Sequence, residues 1–370
     1  MSTLTIAWHG LDLNVDGYNI YRSEVPMDKN DMPFPIDSVG PNVGNYRDSG
    51  VIPKRRYYYR VGAVKNGSEA IGPEYVLNAF GTYLVVGIGD KYIKKLNPEN
   101  GELIWSAYVS GRPYSITCDV DGHVYVGTDT SRVRKHDSDT GDYIWQYNGL
   151  NDQCRSIVVD NDNGFLYVGS EGSEIKKLDL EGNEIWSYSE REGNYVDAVR
   201  SMDIDPEGNI YTGQNNDEMR KIDPNGKTIW VDSDYNESLR DVFYRDGYIY
   251  SASRSSLIRK QYADGSGVVW NASPNQSYAY SIVADSDGYV YSGGYGNRIQ
   301  KTDPNGNNVN TGNWPFEEHT GNVSHLGIDL ENYIYSGGAD DYIKKSNPDG
   351  YEVWSIREST FIDSLAVISY

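Results

Sequence analysis

Tyr125-Val126-Gly127, then Val133-Arg134-Lys135, then Trp145: this run of twenty-one residues recurs, with small changes, seven times between Val85 and the end of the sequence. The opening step is an aromatic or aliphatic residue, a small residue and Gly or Ala. It appears as Val85-Val86-Gly87, Tyr167-Val168-Gly169, Tyr211-Thr212-Gly213, Tyr250-Ser251-Ala252, Tyr291-Ser292-Gly293 and Tyr335-Ser336-Gly337. A basic strand follows, and its third residue is always Lys: Lys95, Lys135, Lys177, Lys221, Lys260, Lys301 and Lys345. One Trp closes each unit, and successive Trp gaps are 40, 41, 44, 40, 44 and 40 residues. A period of roughly 40 to 45 residues with four short strands per unit is the signature of a propeller blade. The sequence therefore predicts an all-β chain whose larger part, residues 80–370, is a seven-bladed β-propeller.

The strands of each unit are legible. An inner strand such as Ser115-Ile116-Thr117-Cys118-Asp119 runs into a tight turn whose Asp-Gly or Asn-Gly supplies the positive φ of a right-twisted hairpin. The second strand carries the Gly step, where a neighbouring blade can approach closely. The third carries Lys and the fourth Trp, so seven four-stranded blades are expected. The first unit starts at its second strand, Tyr83 to Gly87, with no inner strand ahead of it. Residues 363–368, Asp-Ser-Leu-Ala-Val-Ile, match the inner strands Arg155-Ser156-Ile157-Val158 and Arg200-Ser201-Met202-Asp203. They should complete the first blade and close the ring, removing its open edges. The sixth unit is irregular around Trp314-Pro315, and its Trp is expected to be the more weakly packed.

Residues 1–79 lack the repeat and read as short strands separated by Pro, Gly and Asn. Trp8, Tyr18-Asn19-Ile20-Tyr21-Arg22 and the stretch from Ile52-Pro53-Lys54 through Tyr57, Tyr59, Val61 and Ala63 resemble the early Trp, third strand and tyrosine-corner segment of fibronectin type III domains. That resemblance implies a small sandwich with Tyr57 at the corner and Tyr59, Val61 and Ala63 pointing inward. Lys135 through Trp145, and Lys95 through Trp105, resemble the tryptophan-docking motif of the pyrroloquinoline-quinone-type propellers, which implies that each Trp packs on the next blade. The quinone enzymes of that family usually have eight blades, adjacent cysteines and a calcium site. Here there are seven units, and Cys118 and Cys154 are far apart in sequence. No cofactor is expected.

Bulk composition narrows the function. There are 33 basic and 54 acidic side chains, a formal charge of −21. Such a surface repels phosphate backbones, so nucleic-acid and anionic-membrane partners are disfavoured. No apolar run reaches the roughly 20 residues of a membrane helix, and the opening MSTLTIAWHG has no secretory pattern. Cys118 and Cys154 read as buried thiols, with a cross-blade disulfide as the alternative. The 33 Tyr against six Phe suit half-exposed strands and binding surfaces alike.

Catalytic patterns are lacking. His9, His123, His136, His319 and His325 form no nucleophile motif and have no zinc spacing. Asp160-x-Asp162 with Glu171 invites a calcium loop, but Gly164 and Phe165 occupy positions that need a ligand and a Gly, so a hairpin turn is expected. The repeated Lys are expected to lay their stems on Trp or Tyr and reach a nearby Asp or Asn.

One pattern exceeds what a scaffold requires. Aligning the inner strands at their Ser-apolar step places Tyr114, Arg155, Arg200, Arg240, Tyr280, Ser324 and Asp363 at equivalent positions, where the inner strand meets the mouth of the central channel. Three consecutive blades offer Arg there. Arg155, Arg200 and Arg240 with Tyr114 and Tyr280 are the candidate binding residues; the competing account pairs each Arg with a local acid such as Asp152 or Asp197. A repeat scaffold with a fibronectin-like module resembles bacteriophage virion components. The resemblance implies a non-enzymatic structural or adhesion part of a tail, baseplate or head-attached fibre, made in the host cytoplasm and present in several copies. Its partners would be other virion proteins, or a host-surface glycan or protein. A bacterial surface or polysaccharide-binding propeller, cytoplasmic or at the cell surface, is the alternative.

Overall fold

Short strands, the second of each blade buried along nearly all its length, are broken by Asp-Gly and Asn-Gly turns and assemble in the computed structural model into seven consecutive sheets between Tyr83 and Ile368. The structure describes residues 4–8, 15–51, 55–79, 82–189, 197–274 and 278–368. His9, Ile52-Pro53-Lys54, Gly81 and Asn275 lie outside the described residues. No helix occurs among those described.

The blades follow sequence order. Blade 1 pairs Leu103–Tyr108, Tyr92–Leu96, Tyr83–Ile88 and Ile362–Ile368, so the C-terminal strand is its innermost member. Blades 2, 3, 4, 5 and 7 are four-stranded meanders whose inner strands are Pro113–Cys118, Cys154–Asp160, Val199–Ile204, Leu239–Arg245 and Val323–Ile328. Each inner strand neighbours the next, and the last neighbours the first, which closes the ring.

Blade 6 corrects the expectation of four strands throughout. It has three: Ala279–Ala284, Val290–Gly294 and Ile299–Thr302. The segment that should supply the fourth, Gly306 to Asn313, is Asn- and Gly-rich and lacks apolar alternation. It attaches by two isolated bridges, Thr302 with Asn308 and Ile299 with Phe316. Trp314 is nevertheless only 5% exposed, packed with Tyr291, Ile299 and Phe316, so it is not weakly seated.

The seven docking Trp all perform one task. Each indole donates to a carbonyl in the turn of the following blade: Trp105 to Ser138, Trp145 to Leu180, Trp186 to Pro224, Trp230 to Ala263, Trp270 to Pro304, Trp314 to Pro348 and Trp354 to Pro98. Six of the repeated Lys donate to the same carbonyls, from Lys95 on Ser138 to Lys345 on Pro98. Sequence reasoning expected carboxylate or amide acceptors instead. Lys135 and Lys221 also approach an acid, Asp119 and Asp205. Six of the ammoniums lie 4.9 to 5.4 Å from the ring centroid of the repeated Tyr, as with Lys177 over Tyr167 at 5.2 Å, and Lys95, whose unit has Val85 there, lies over Tyr83. Four of those Tyr hydroxyls donate to the hairpin Asp of their own blade, Tyr125 to Asp119 for example, a bond that Phe could not make.

Cys118 ends one inner strand and Cys154 starts the next, and both are buried thiols outside any disulfide. Burial pushes the Cys118 thiol up to about 12 and that of Cys154 higher still.

Before residue 83 a separate unit holds two sheets. Leu4–Ala7 pairs with Asn45–Asp48; the other sheet orders Asp37–Val39, Gly17–Ser23, Arg55–Lys65 and Ser68–Ile71, with Tyr75–Ala79 pairing the first half of Arg55–Lys65. Ile6, Ile20, Val51, Tyr57 and Tyr59 form its core, with Trp8 and Val61 packed against them. Its buried phenol–acid bond runs from the Tyr59 hydroxyl to Asp48, which Arg22 also holds.

Candidate functional site

The glycine of the second strand positions the site. At Gly127 an added Cβ would meet the side chain of Cys154, at Gly169 that of Val199 and at Gly337 that of Ile362. The first residue of each inner strand thus nests against the preceding blade's Gly. In blade 5 Ala252 replaces Gly, and its neighbour is the equally small Ala279. Immediately after this anchored residue every inner strand bulges: the register shifts between Pro113 and Ser115, Cys154 and Ser156, Val199 and Ser201, Leu239 and Asp241, Ala279 and Ser281, Val323 and His325, and Ile362 and Ser364. The residues skipped are Tyr114, Arg155, Arg200, Arg240, Tyr280, Ser324 and Asp363, which the sequence alignment had selected. A bulge releases one residue from the ladder and re-aims its side chain.

Beyond the bulge the ring is stitched together. The backbone N–H groups of Ile157, Met202, Val242, Ile282 and Leu326 donate to Ser115, Ser156, Ser201, Asp241 and Ser281 of the preceding blade, at 2.8 to 3.2 Å. The bulged side chains therefore stand on a rigid base.

All five predicted residues, Tyr114, Arg155, Arg200, Arg240 and Tyr280, line one cavity of ≈ 380 Å³, together with Arg112, Ser324, His325 and Asp363. Its charges are unevenly matched. Arg112 makes a two-point contact to Asp363, at 2.6 and 3.1 Å. Arg155 bonds Glu171 at 2.8 Å, and Arg200 reaches the same carboxylate oxygen. The acid is Glu171, on the loop after the second strand of blade 3, rather than the Asp152 or Asp197 expected from sequence. Arg240 has no ion pair or hydrogen bond among the described residues, and its Nε is buried without a partner. Burial and the guanidiniums of Arg200, Arg254 and Arg155 pull Arg240 below the usual guanidinium range. Four arginines thus share two carboxylates.

The aromatic residues divide likewise. Tyr114 carries Arg155 at 3.9 Å and Arg112 at 5.3 Å from its ring centroid, so its faces serve the arginines. Tyr280 instead adjoins Tyr278, which adjoins Tyr295, with centroids 6.2 and 6.5 Å apart. Arg112 and the Tyr278–Tyr295 pair were missed by sequence reasoning, because they lie outside the aligned strand position; Gly111-Arg112-Pro113, set just ahead of the strand, was the one available signal.

Deeper in the channel wall, Asp203 accepts from the backbone of Tyr244 and Ile204, at 2.6 and 2.9 Å. Burial raises its carboxyl from 3.8 to about 7. The folded chain then holds this proton over a pH range where the unfolded chain has lost it. Stability should fall as pH rises from about 4 to about 7 and level off above. Thermal melts across that range should show the slope, and Asp203→Asn should reduce it, leaving the part contributed by Asp241, whose carboxyl burial also raises.

Two further clusters belong to the scaffold. His319 contacts Asp340 at 2.9 Å through Nδ1 and Ser336 at 2.8 Å through Nε2, a pairing that sequence reasoning did not find. It has the connectivity of a hydrolase triad; all three side chains are buried, and the contacts tie the loop that carries His319 to blade 7. Asp119, Asp121 and His123 bring ligand-type atoms within 4.8 Å of one another, yet Asp119 already accepts from Tyr125 and from the His123 backbone. At Asp160 both carboxylate oxygens accept from Asn163, the chemistry of a hairpin turn.

A closed ring of Trp-docked blades with a polar cavity where the inner strands begin defines a repeat propeller. A family described as outer membrane protein assembly factor BamB matches residues 89–285, more than half of the chain, and the chain belongs to that family. No curated protein matches it.

Proposed function

We propose that this chain is a non-enzymatic binding scaffold, an adhesion or structural component of a bacteriophage virion, whose propeller captures an anionic group at the channel mouth. The observation that carries the binding role is the cavity lined by Arg112, Arg155, Arg200 and Arg240, whose ion pairs among the described residues are with Glu171 and Asp363. Guanidinium forks match carboxylates in plane and are the usual choice for such recognition. The virion setting rests on the fibronectin-like sequence of residues 1–79 joined to a repeat propeller, with that first unit as the docking module. The family's description as an assembly factor supports a scaffold over an enzyme.

Replacing Arg155, Arg200 and Arg240 together by Gln is expected to lower binding to host cells at least tenfold while the ring still melts cooperatively. Full binding by that variant would show that the arginines serve only the fold. Mass spectrometry of purified particles tests the setting independently, and the chain should be present there in several copies.

A further inference from the structure

The cavity's own polar groups fall into two sets. On the side of blades 1 to 4 they engage one another: Arg112 with Asp363, Arg155 and Arg200 with Glu171, and Tyr114 beneath two arginines, with the Arg200 Nε left buried and without an acceptor. On the side of blades 5 to 7 they do not. The Arg240 guanidinium, the Tyr280 hydroxyl and the Ser324 hydroxyl line the same cavity and make no hydrogen bond among the described residues. These are one cation followed by two neutral hydroxyls on successive blades. His325, next along, stays neutral near pH 7, because burial holds its imidazole down at about 4. Beside them Tyr278 and Tyr295 are 39% and 57% exposed and extend the aromatic surface begun by Tyr280.

From this arrangement we infer that the mouth binds an acidic sugar, a uronate or a nonulosonate residue, with its carboxylate on Arg240, its hydroxyls on Ser324 and the Tyr280 hydroxyl, and its ring against the Tyr280–Tyr278 faces. The inference rests on the binding role proposed above and names the ligand's class. Arg240, the cavity arginine without an acid partner, stands among neutral donors and so suits a carboxylate carried by a polyol. A cavity of ≈ 380 Å³ lies in the range of small-molecule sites, which begins at about 300 Å³. A polyacidic peptide fits less well, since a chain of net charge −21 repels it and, among the described residues, Arg240 is the one arginine of the cavity without an acid partner.

The full chain should be titrated calorimetrically with sodium glucuronate and with sodium N-acetylneuraminate. Glucuronamide, acetate and an Asp-Glu hexapeptide are the comparisons. At least one sugar acid should bind with a millimolar or tighter Kd, and glucuronamide and acetate should bind at least tenfold more weakly. Arg240→Gln should lose at least tenfold for that sugar acid, and Arg240→Lys should recover part of the loss. Tyr280→Ala should weaken sugar-acid binding several-fold and leave acetate unchanged. Because Arg240 has no partner to lose, its Gln variant should melt no lower than the parent, whereas an arginine that holds the fold would lower the melt. Acetate binding as well as the sugar acids, or the hexapeptide binding more tightly, would overturn the inference. So would sugar-acid binding that survives in Arg240→Gln. Silence from both sugar acids, with host binding still lost in the triple variant, would discard the ligand class and leave the mouth as the binding site.

Discussion

Deleting residues 361–370 is expected to abolish the cooperative unfolding of the propeller and to yield aggregating protein. Strand Ile362–Ile368 supplies the inner edge of blade 1, pairing Tyr83–Ile88 along its length. It also neighbours the inner strands of blades 2 and 7, so its loss opens the ring at both flanks. Ile362 packs with Leu84, Val86 and Ile343, and Asp363 holds Arg112. The deletion would bare a row of unpaired N–H and C=O groups on Tyr83–Ile88, a template for association with other chains. Calorimetry and size-exclusion chromatography of the truncated chain test this. A monomer with an unaltered melt would mean that closure contributes nothing.

Trp314→Ala and Trp186→Ala should each cost about 3–5 kcal/mol, with Trp314 at the upper end. Both indoles donate to a carbonyl of the next blade at 3.1 Å, and both adjoin the repeated Tyr of their own blade, at centroid distances of 5.1 and 5.9 Å. Trp314 is the more enclosed, because Phe316 and the irregular segment of blade 6 cover it. Truncation would leave a cavity and a carbonyl without its indole donor. Urea titrations followed by circular dichroism give the comparison. A Trp314 loss under about 1 kcal/mol beside a full Trp186 loss would show that the covering segment yields and fills the space.

The blade count, the closing strand and the docking Trp were legible because each is fixed by side-chain type at a constant period. The row of mouth residues was legible for the same reason, since alignment at the Ser-apolar step needs only the sequence. Its cause was not, because a bulge is a matter of hydrogen-bond register, and Val199-Arg200-Ser201 looks like any alternating strand. The acceptors of the repeated Lys were missed because a backbone carbonyl carries no letter of its own. Glu171 as the shared partner of Arg155 and Arg200 was hidden in a loop whose path brings one acid between two blades. Ser336, His319 and Asp340 meet across 17 and 21 residues of sequence that repeat nowhere else in the chain. Blade 6 failed as a four-stranded unit where Asn and Gly replaced the apolar alternation, so the period survived and the strand did not.

The bulge that frees one residue per inner strand separates two vocabularies that most folds mix. Ladder partners, Gly seats and stitching serines hold the ring whichever side chain stands at positions 114, 155, 200, 240, 280, 324 and 363. Those positions form a seven-letter word that can be rewritten without editing the grammar beneath it. A combinatorial library confined to them, displayed on the unchanged ring, would sample new recognition surfaces while most members still fold. The same freedom would let natural selection exchange one target for another by single codon changes, with the blades left as they are.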